Sequence, residues 1–205
     1  MIYKIYNRLT LYKKKCISFF IFSFSMKMKQ IKVTFESIPL LTQKTVFKGK
    51  GTIEFGRGIM LGVSSSPYAC TGEFYIEARK KNAKVIIGSH VYINNNAVII
   101  ADKSEIKIGS DTLIGPNFMC FDSNFHSLDP NERLSDSKSL SRPVNIGKNV
   151  FIGANVTILR GCNIGENSVI GAGCVISENI PSNSIVSCSS SNKITKLTTK
   201  SNSYT

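Results

Sequence analysis

The chain has 205 residues, a formal net charge of +13 and 42% hydrophobic residues. This length suits one domain with a sizeable core, and no apolar run reaches the eighteen or so residues that a membrane-spanning helix needs. The charge is uneven, because residues 1–32 contain eight lysines and arginines and no acid. Such a segment favours contact with an anionic surface.

The first thirty residues are predicted to form a separate N-terminal arm. Residues 16–24 are apolar and follow a basic segment, as in a secretory signal, but the stretch is short and no small-x-small cleavage site follows it. We expect residues 1–30 to be an amphipathic arm that touches a membrane surface. A disordered leader and a true start at Met26 or Met28 are the alternatives. The predicted location is the cytoplasm, with peripheral contact at the inner membrane face.

Residues 31–188 are predicted to form an all-β solenoid. Glycine-punctuated apolar stretches between residues 31 and 63 indicate irregular first turns of the coil. Isoleucine later recurs every six residues, at positions 146, 152, 158, 164, 170 and 176. A helix would rotate positions six apart by about 600°, to opposite sides, whereas a strand keeps them on one face. Units this short cannot bury a core alone, so they must stack, with three faces to a coil of about eighteen residues.

The repeat is lost after Cys120 and resumes at Ile146, which predicts an inserted loop at residues 121–143. Long loops on a rigid scaffold are usually functional. The chain has two histidines. His90 lies in a predicted turn between strands and is expected to be an exposed turn residue, whereas His126 lies in the inserted loop. Histidine is the side chain best suited to accept a proton near neutral pH, and Asp122 is a candidate to hold its other nitrogen.

The six cysteines contain no C-x-x-C pair, so neither a metal site nor a disulfide is well supported. Cys120, Cys162 and Cys174 occupy repeat positions where a small apolar side chain would pack. A reduced cytoplasmic setting fits this pattern. The composition then turns to Ser, Thr, Asn and Lys, and residues 189–205 are predicted to be a polar C-terminal tail.

The isoleucine hexads, above all residues 149–154 and 167–176, resemble those of the hexapeptide-repeat acyltransferases. The histidine loop and the repeats match in order over residues 83–197. The chain is most similar to the branch that contains galactoside, maltose and surface-polysaccharide O-acetyltransferases. The resemblance implies a left-handed parallel β-helix, which is an exception to the usual right-handed crossover. It also implies a homotrimer with active sites between neighbouring coils, acetyl-CoA as co-substrate and no metal.

The resemblance also implies residues for catalysis and for binding the acceptor. Residues 126–130, His-Ser-Leu-Asp-Pro, resemble the family's His-Pro-Leu-Asp-Pro segment, whose histidine is the catalytic base. Tyr92 and Asn94 match a Tyr-x-Asn segment that lines the acceptor pocket. Asp102 matches an acceptor-site acid.

Five further positions match cofactor contacts in the family. They are Ala154, whose N–H would bind the thioester carbonyl, Ala172 and Ser177 along the pantetheine arm, and Lys193 and Lys196 near the nucleotide phosphates. One departure is that the family's Gly-x-Pro before the basic pair is replaced by serines at 189–191.

The implied reaction is direct transfer of an acetyl group from acetyl-CoA to a hydroxyl of a sugar or cell-surface glycan, with His126 as general base. A same-fold alternative is N-acetylation of a nucleotide-linked amino sugar, and a different-class alternative is a non-catalytic binding solenoid. A zinc-dependent hydratase is disfavoured because its site needs three imidazoles. Nucleic-acid binding is disfavoured because the coil lacks aromatic residues interleaved with basic ones.

Overall fold

The computed structural model describes residues 31–134, 139–188 and 192–196. These residues form twenty β-strands and one turn of 3₁₀-helix, η1 (Pro130–Glu132). The predicted N-terminal arm, residues 1–30, lies outside the described residues. Within the described ranges, no helix is both long and apolar enough to cross a membrane.

Strands β1 to β18 belong in turn to three sheets in which they pair in parallel, so each coil contributes one strand to each sheet. Sheet A contains β1 (Lys32–Phe35), β4 (Thr52–Phe55), β7 (Lys84–Ile87), β10 (Glu105–Ile108), β13 (Val144–Ile146) and β16 (Asn163–Ile164). Sheet B contains β2 (Leu40–Leu41), β5 (Met60–Leu61), β8 (Tyr92–Ile93), β11 (Leu113–Ile114), β14 (Phe151–Ile152), β17 (Val169–Ile170), β19 (Ser184–Cys188) and β20 (Asn192–Lys196). Sheet C contains β3 (Thr45–Gly49), β6 (Phe74–Ala78), β9 (Val98–Ala101), β12 (Met119–Phe121), β15 (Thr157–Ile158) and β18 (Val175–Ile176). The chain winds as a left-handed parallel β-helix, which confirms the predicted fold class.

The isoleucines of the hexad point into the coil. All six between positions 146 and 176 are fully buried. Partners in neighbouring coils stack directly, as Ile146 does on Ile164 and Ile152 on Ile170. Burial of a side chain of this size contributes roughly 1.5–3 kcal/mol. The stacked columns therefore stabilise coils that would not be stable singly.

The corner between sheets A and B is a ladder of residues with positive φ. Asn149, Asn167 and Asn183 have φ angles of 54°, 57° and 57°, a region that asparagine enters more readily than other side-chain-bearing residues. Their amides are hydrogen-bonded in series at 2.9 and 3.1 Å. His90 belongs to the same ladder with a φ of 57°, and its Nδ1 lies 3.3 Å from Asp111 Oδ1. His90 is exposed, as expected for a turn residue.

Coil length differs along the solenoid. Paired residues are eighteen positions apart in the C-terminal coils, as in Phe151 and Val169, but twenty-one apart in an earlier coil, as in Tyr92 and Leu113. The additional residues lie at 102–104, where the chain passes from sheet C to sheet A. One coil later the same corner expands into the inserted loop, which runs from 122 to 143 because Phe121 still belongs to β12.

The outer faces of the three sheets differ in polarity. The outward positions of sheet A are mostly Lys, Glu, Thr and Asn. Sheet B has an apolar stripe of one side chain per coil, formed by Leu40, Met60, Tyr92, Leu113, Phe151 and Val169. Sheet C has a second stripe, formed by Val46, Tyr75, Val98, Met119, Thr157 and Val175. Exposed apolar faces of this extent are typical of surfaces that another molecule covers.

The C-terminal end is an antiparallel pair of strands. β19 continues sheet B beside β17, and β20 folds back along β19. Part of the predicted polar tail therefore forms a strand, because its backbone pairs with the last strand of the coil. The other residues after Cys188 lie outside the described ranges.

The cysteines follow the prediction in part. Cys120 and Cys162 are buried and free, so they fill repeat positions as small apolar side chains. Cys174 is also buried, but it is disulfide-bonded, which corrects the expectation that no disulfide forms. The cysteine pattern alone thus no longer argues for a reduced setting.

Candidate active site

The inserted loop is fastened to the coil at its base. Ser123 and Ser141 form a β-bridge across the two ends of the loop. The Asn124 N–H donates to the Leu140 carbonyl at 3.1 Å, and its side-chain oxygen accepts from Arg160 Nε at 2.6 Å. The backbone at the base of the loop, two residues before His126, is therefore fixed to the coil. We call the corner between sheets C and A, with residues 79–83, 102–104, 122–134, 139–143, 159–162 and 177–179, the histidine edge.

His126 lies on this edge with an exposed side chain. Its Nδ1 is 2.8 Å from the Arg133 carbonyl oxygen. A carbonyl can only accept a hydrogen bond, so Nδ1 carries the proton and the lone pair of the neutral ring lies on Nε2. The hydrogen bond at Nδ1 fixes the orientation of the His126 ring, and Nε2 is left as the proton acceptor.

Asp122 does not form the predicted hydrogen bond with His126. Its carboxylate is buried and accepts three backbone N–H groups, from Asp102 at 2.7 Å, Lys103 at 3.2 Å and Ser104 at 2.7 Å. Burial raises the pKa of Asp122, although these hydrogen bonds favour the charged form. The carboxylate thus shapes the turn of the preceding coil, and the Arg133 carbonyl holds the imidazole.

Asp102 is buried in a group of charged side chains on the outer face of sheet C. Its Oδ1 lies 3.6 Å from Arg79 Nη1, and its Oδ2 accepts a weak hydrogen bond from Ser123 Oγ at 3.5 Å. Arg79 also forms two hydrogen bonds with Glu77, at 3.2 and 3.0 Å. Asp102 therefore lies beside the base of the loop that bears His126.

Tyr92 and Asn94 lie on a different part of the coil. Tyr92 is outward on sheet B and 45% exposed. Asn94 is half-buried in the turn between sheets B and C, and its Oδ1 accepts the Asn95 N–H at 2.7 Å. We call this corner, with residues 94–97, 115–118, 153–156 and 171–174, the asparagine edge.

Two of the cofactor positions predicted from the sequence also lie on the asparagine edge. Ala154 and Ala172 occupy equivalent positions in adjacent coils, where the Gly173 N–H donates to the Ala154 carbonyl at 2.8 Å. Among the described residues, none accepts a hydrogen bond from the Ala154 N–H. A line of small side chains with a free donor can accept an extended chain that ends in a carbonyl.

The remaining cofactor positions are more scattered. Ser177 is exposed and follows β18 on the histidine edge. Lys193 and Lys196 lie in β20, opposite Ser187 and Ser184 of β19. Their side chains are not described.

The predicted site residues of one chain do not come together in a single site. Asn94, Ala154 and Ala172 lie at one border of sheet C, and Asp102 and His126 lie at the other. The four residues of β9, which join the two edges, alone span about 10 Å. The predicted site residues of one chain therefore form two separate groups, one on each edge.

Three contributors to the histidine edge were not predicted from the sequence: Arg79, the Phe125 ring, whose centroid lies 5.0 Å from the Arg79 guanidinium, and the Arg133 carbonyl. Arg79 had a recognisable signal, because Glu77 and Arg79 are two positions apart on a strand and must share its outer face. A backbone carbonyl gives no such signal, since every residue has one. The turn at Phe125 depends on contacts between coils, which the local sequence does not contain.

Comparison with known proteins adds a family match. Residues 143–178 match the model for the bacterial transferase hexapeptide (six repeats). The chain is 36% identical to a Saccharomyces cerevisiae protein described as an acetyltransferase, over 67% of this chain and 70% of the relative. It is 38% identical to the nodulation protein L of Rhizobium meliloti, over 66% of each chain. It is 36% identical to the galactoside O-acetyltransferase of Lactococcus lactis, over 54% of this chain and 51% of the relative.

Two solved structures extend the match to three dimensions. One is a hexapeptide-repeat acetyltransferase of Vibrio cholerae complexed with acetyl coenzyme A, with a TM-score of 0.50 and 33% identity over 57% of this chain and 61% of that one. The other is a polysialic-acid-specific acetyltransferase, with a TM-score of 0.62 and 22% identity over 84% of this chain and 70% of that one. At that identity the second structure bears on the fold alone.

Proposed function

Because the chain belongs to the hexapeptide-repeat acetyltransferase family, we propose that it transfers an acetyl group from acetyl-CoA to a hydroxyl of a sugar or cell-surface glycan, with His126 as the general base. The observation that carries the assignment of the base is the hydrogen bond between His126 Nδ1 and the Arg133 carbonyl. It leaves Nε2 as the acceptor on an exposed ring. Relatives named as galactoside and polysialic acid O-acetyltransferases support a carbohydrate hydroxyl as the acceptor.

Acetyl-CoA supplies an activated acyl group and a thiolate leaving group. His126 Nε2 removes the proton from the acceptor hydroxyl as the oxygen attacks the thioester carbonyl. The Ala154 N–H then binds the oxyanion, and protonated His126 returns the proton to the departing sulfur. The Arg133 carbonyl stabilises the imidazolium form through Nδ1–H. General-base help contributes about 10²- to 10⁴-fold, and one oxyanion donor about 10²- to 10³-fold.

The proposal includes a homotrimer with shared sites. In a closed ring of three copies that turn sheet C towards the common axis, the asparagine edge of one copy lies against the histidine edge of the next. This arrangement covers the apolar stripe of sheet C and joins the two groups of site residues. The polar face of sheet A stays in water. The separation of the two groups across sheet C supports it.

The sequence-based predictions for residues 1–30 remain part of the proposal. The protein is cytoplasmic, and the basic, apolar arm makes peripheral contact with the inner membrane face. Flotation of the full chain with anionic vesicles, compared with a chain that begins at Met26, measures this contact. Equal flotation of the two chains would remove the arm from the proposal.

An acceptor screen tests the reaction. Thiol release from acetyl-CoA is followed with sugars, oligosaccharides and nucleotide-linked amino sugars. We expect transfer to a hydroxyl, which gives an ester that mild base cleaves. A base-stable amide from an amino sugar would replace O-transfer with N-transfer. Absence of acetyl-CoA binding by calorimetry would favour a non-catalytic solenoid.

The His126→Ala variant tests the base. We expect it to retain acetyl-CoA binding and the melting temperature of the wild type, while kcat falls by about 10²- to 10⁴-fold. His90→Asn is the matched control, because His90 is an exposed turn residue away from the loop and asparagine accepts its φ of 57°. Turnover of His126→Ala near that of the wild type would overturn the assignment.

A further inference from the structure

The residue before His126 has an unusual backbone. Phe125 has a φ of 60°, and the His126 N–H donates to the Asn124 carbonyl at 2.7 Å. A hydrogen bond between residues two apart closes a γ-turn, and the form with positive φ at its centre is rare and strained. Such a turn persists only where its surroundings over-determine it.

Two contacts fix the Phe125 ring, one with another aromatic ring and one with a guanidinium. The ring meets Phe121 edge to face, with centroids 5.5 Å apart and planes at 77°. The guanidinium of Arg79 forms the other contact, 5.0 Å from the ring centroid, within the range of a cation–π interaction. The Phe125 N–H also donates to Ser123 Oγ at 3.0 Å. The strained turn is therefore held by a side chain from two coils earlier.

Arg79 is itself held by two buried carboxylates. Glu77 binds it through two hydrogen bonds, and Asp102 lies 3.6 Å away on another atom of the guanidinium. The side chains of Glu77 and Asp102 are 8% and 5% exposed, whereas that of Arg79 is 35% exposed. Arginine stays protonated in proteins, and the hydrogen bond with Glu77 raises the pKa of Arg79 further.

Glu77 has a further partner on the same strand. The Tyr75 hydroxyl donates to Glu77 Oε2 at 3.1 Å. Burial, with the negative charge of Glu77, raises the pKa of Tyr75 to about 12, which keeps the phenol a donor. The carboxylate that orients Arg79 is thus fixed from both sides.

We propose that Arg79 is a positioning residue for catalysis, which locks the Phe125 turn and so aims His126 while it fixes Asp102 beside the acceptor. The inference rests on the proposed function, because it takes His126 as the base. The planar fork of arginine suits the role, since it can bind Glu77 in two places while its face lies over a ring. A lysine ammonium cannot do both.

The first experiment measures the histidine ring directly. The chain has two histidines, so in a His90→Gln background every imidazole NMR signal belongs to His126. With Arg79 present we expect a single Nδ1-protonated tautomer. In Arg79→Met we expect mixed tautomers and broadened signals, with an unchanged backbone spectrum for the C-terminal coils. An unchanged His126 spectrum in Arg79→Met would overturn the proposal, whatever the protein catalyses.

The second experiment separates kcat from KM. Arg79→Met should lower kcat by about 10- to 100-fold, the cost of a small misplacement of a reacting group, while KM for acetyl-CoA changes by less than about twofold. Arg79→Lys should recover little. Arg57→Met is the matched control, because Arg57 forms an exposed ion pair with Glu36 at 3.2 Å in another part of the coil. A fall in kcat as large in Arg57→Met as in Arg79→Met would contradict a specific role.

A third series tests whether the ring, rather than the turn, transmits the effect. Phe125→Gly accepts a positive φ without strain but lacks the ring, so we expect it to lose as much kcat as Arg79→Met. Phe125→Tyr keeps the ring and should restore most of it. The double variant Arg79→Met/Phe125→Gly should be no worse than either single one, because both remove one contact. Wild-type kcat in Phe125→Gly would refute the link through the ring. Retained turnover in His126→Ala would instead refute the proposed function, and the NMR result would still decide the positioning.

Discussion

In the regular coils at residues 144–176, the place of a residue in the hexad determines whether its side chain is buried. At the histidine edge it does not. In the regular coils an isoleucine fills the core every six residues, asparagine fills the corner, and each strand pairs with the same strand of the next coil. At the histidine edge a carboxylate is buried, an aromatic residue has positive φ, and an arginine joins two coils. The repeat provides a rigid frame, and its interruption places buried carboxylates and an arginine in contacts that the hexads do not contain.

In the proposed trimer the histidine edge is half of a site. If the asparagine edge of a neighbouring copy completes it, two inactive variants should restore each other. We expect co-expressed His126→Ala and Asn94→Ala chains to form mixed trimers in which about a quarter of the sites are intact. Activity should rise by at least about 25-fold over His126→Ala alone, because a quarter of the sites recover a loss of about 10²- to 10⁴-fold.

Thiol release by the co-purified, differently tagged chains measures this recovery. Each variant co-expressed with a tagged copy of itself is the control. Mixed trimers with no more activity than the controls would show that each chain builds its site alone.

A core substitution in the regular coils should do the opposite of a substitution at the histidine edge. Ile158 is fully buried in β15, stacked between Cys120 and Ile176. We expect Ile158→Ala to lower the free energy of unfolding by about 2–5 kcal/mol, with kcat within about twofold of the wild type below the melting temperature.

Urea unfolding at a fixed protein concentration measures the loss, since stability of an oligomer depends on concentration. Lys107→Ala, on the exposed face of sheet A, is the control and should change little. A large fall in kcat with unchanged stability in Ile158→Ala would mean that the regular coils and the site are not separable.

The regular coils could be predicted from the sequence because each hexad by itself places one isoleucine in the core. Isoleucine spacing located the buried face, since all six isoleucines of the repeat point into the core. The inserted loop was located for the same reason, as the place where the spacing fails. His126 followed from residue type, since it is the one histidine within that loop.

The contacts inside the histidine edge could not be predicted from the sequence. Asp122 was assigned to His126 because the two are near in sequence, yet its carboxylate binds backbone N–H groups of residues 102–104 in the preceding coil. Arg79 meets Phe125 across forty-six positions of sequence. Such contacts depend on how loops of different length stack, and hydrophobic spacing does not specify this.

The asparagine ladder allows a finer test of the regular coils. Asn167 has a φ of 57° and hydrogen bonds with Asn149 and Asn183. Asn167→Ala should lower the free energy of unfolding by about 1–2 kcal/mol, because alanine is strained in that region. Asn167→Gly should lose less, since glycine accepts the conformation. Equal losses in urea unfolding would assign the effect to the amide ladder rather than to the backbone.

The smallest expected effect is the pH dependence of stability at Asp122, where the histidine edge departs from the repeat by burying a charge. Burial raises the pKa of Asp122 in the folded chain, so the folded state binds this proton more tightly than the unfolded state does. The contribution of the group to stability is then complete below the unfolded pKa, near about 3.9, and declines as the pH rises through the raised folded value. The side-chain amide of the Asp122→Asn variant does not titrate, so this variant serves as a reference that keeps the shape without the charge.

The free energy of unfolding of the wild type, relative to that of Asp122→Asn, should therefore fall as the pH rises from about 3.5. This relative value should level off once Asp122 is ionised. A comparison of the wild type with Asp111→Asn, at an exposed aspartate, provides the control for general charge effects. If the difference instead moves in favour of the wild type with rising pH, the three backbone N–H groups outweigh the cost of burial. The turn at 102–104 would then be built to hold an anion, and the histidine edge would gain stability from the same charge that the regular coils exclude.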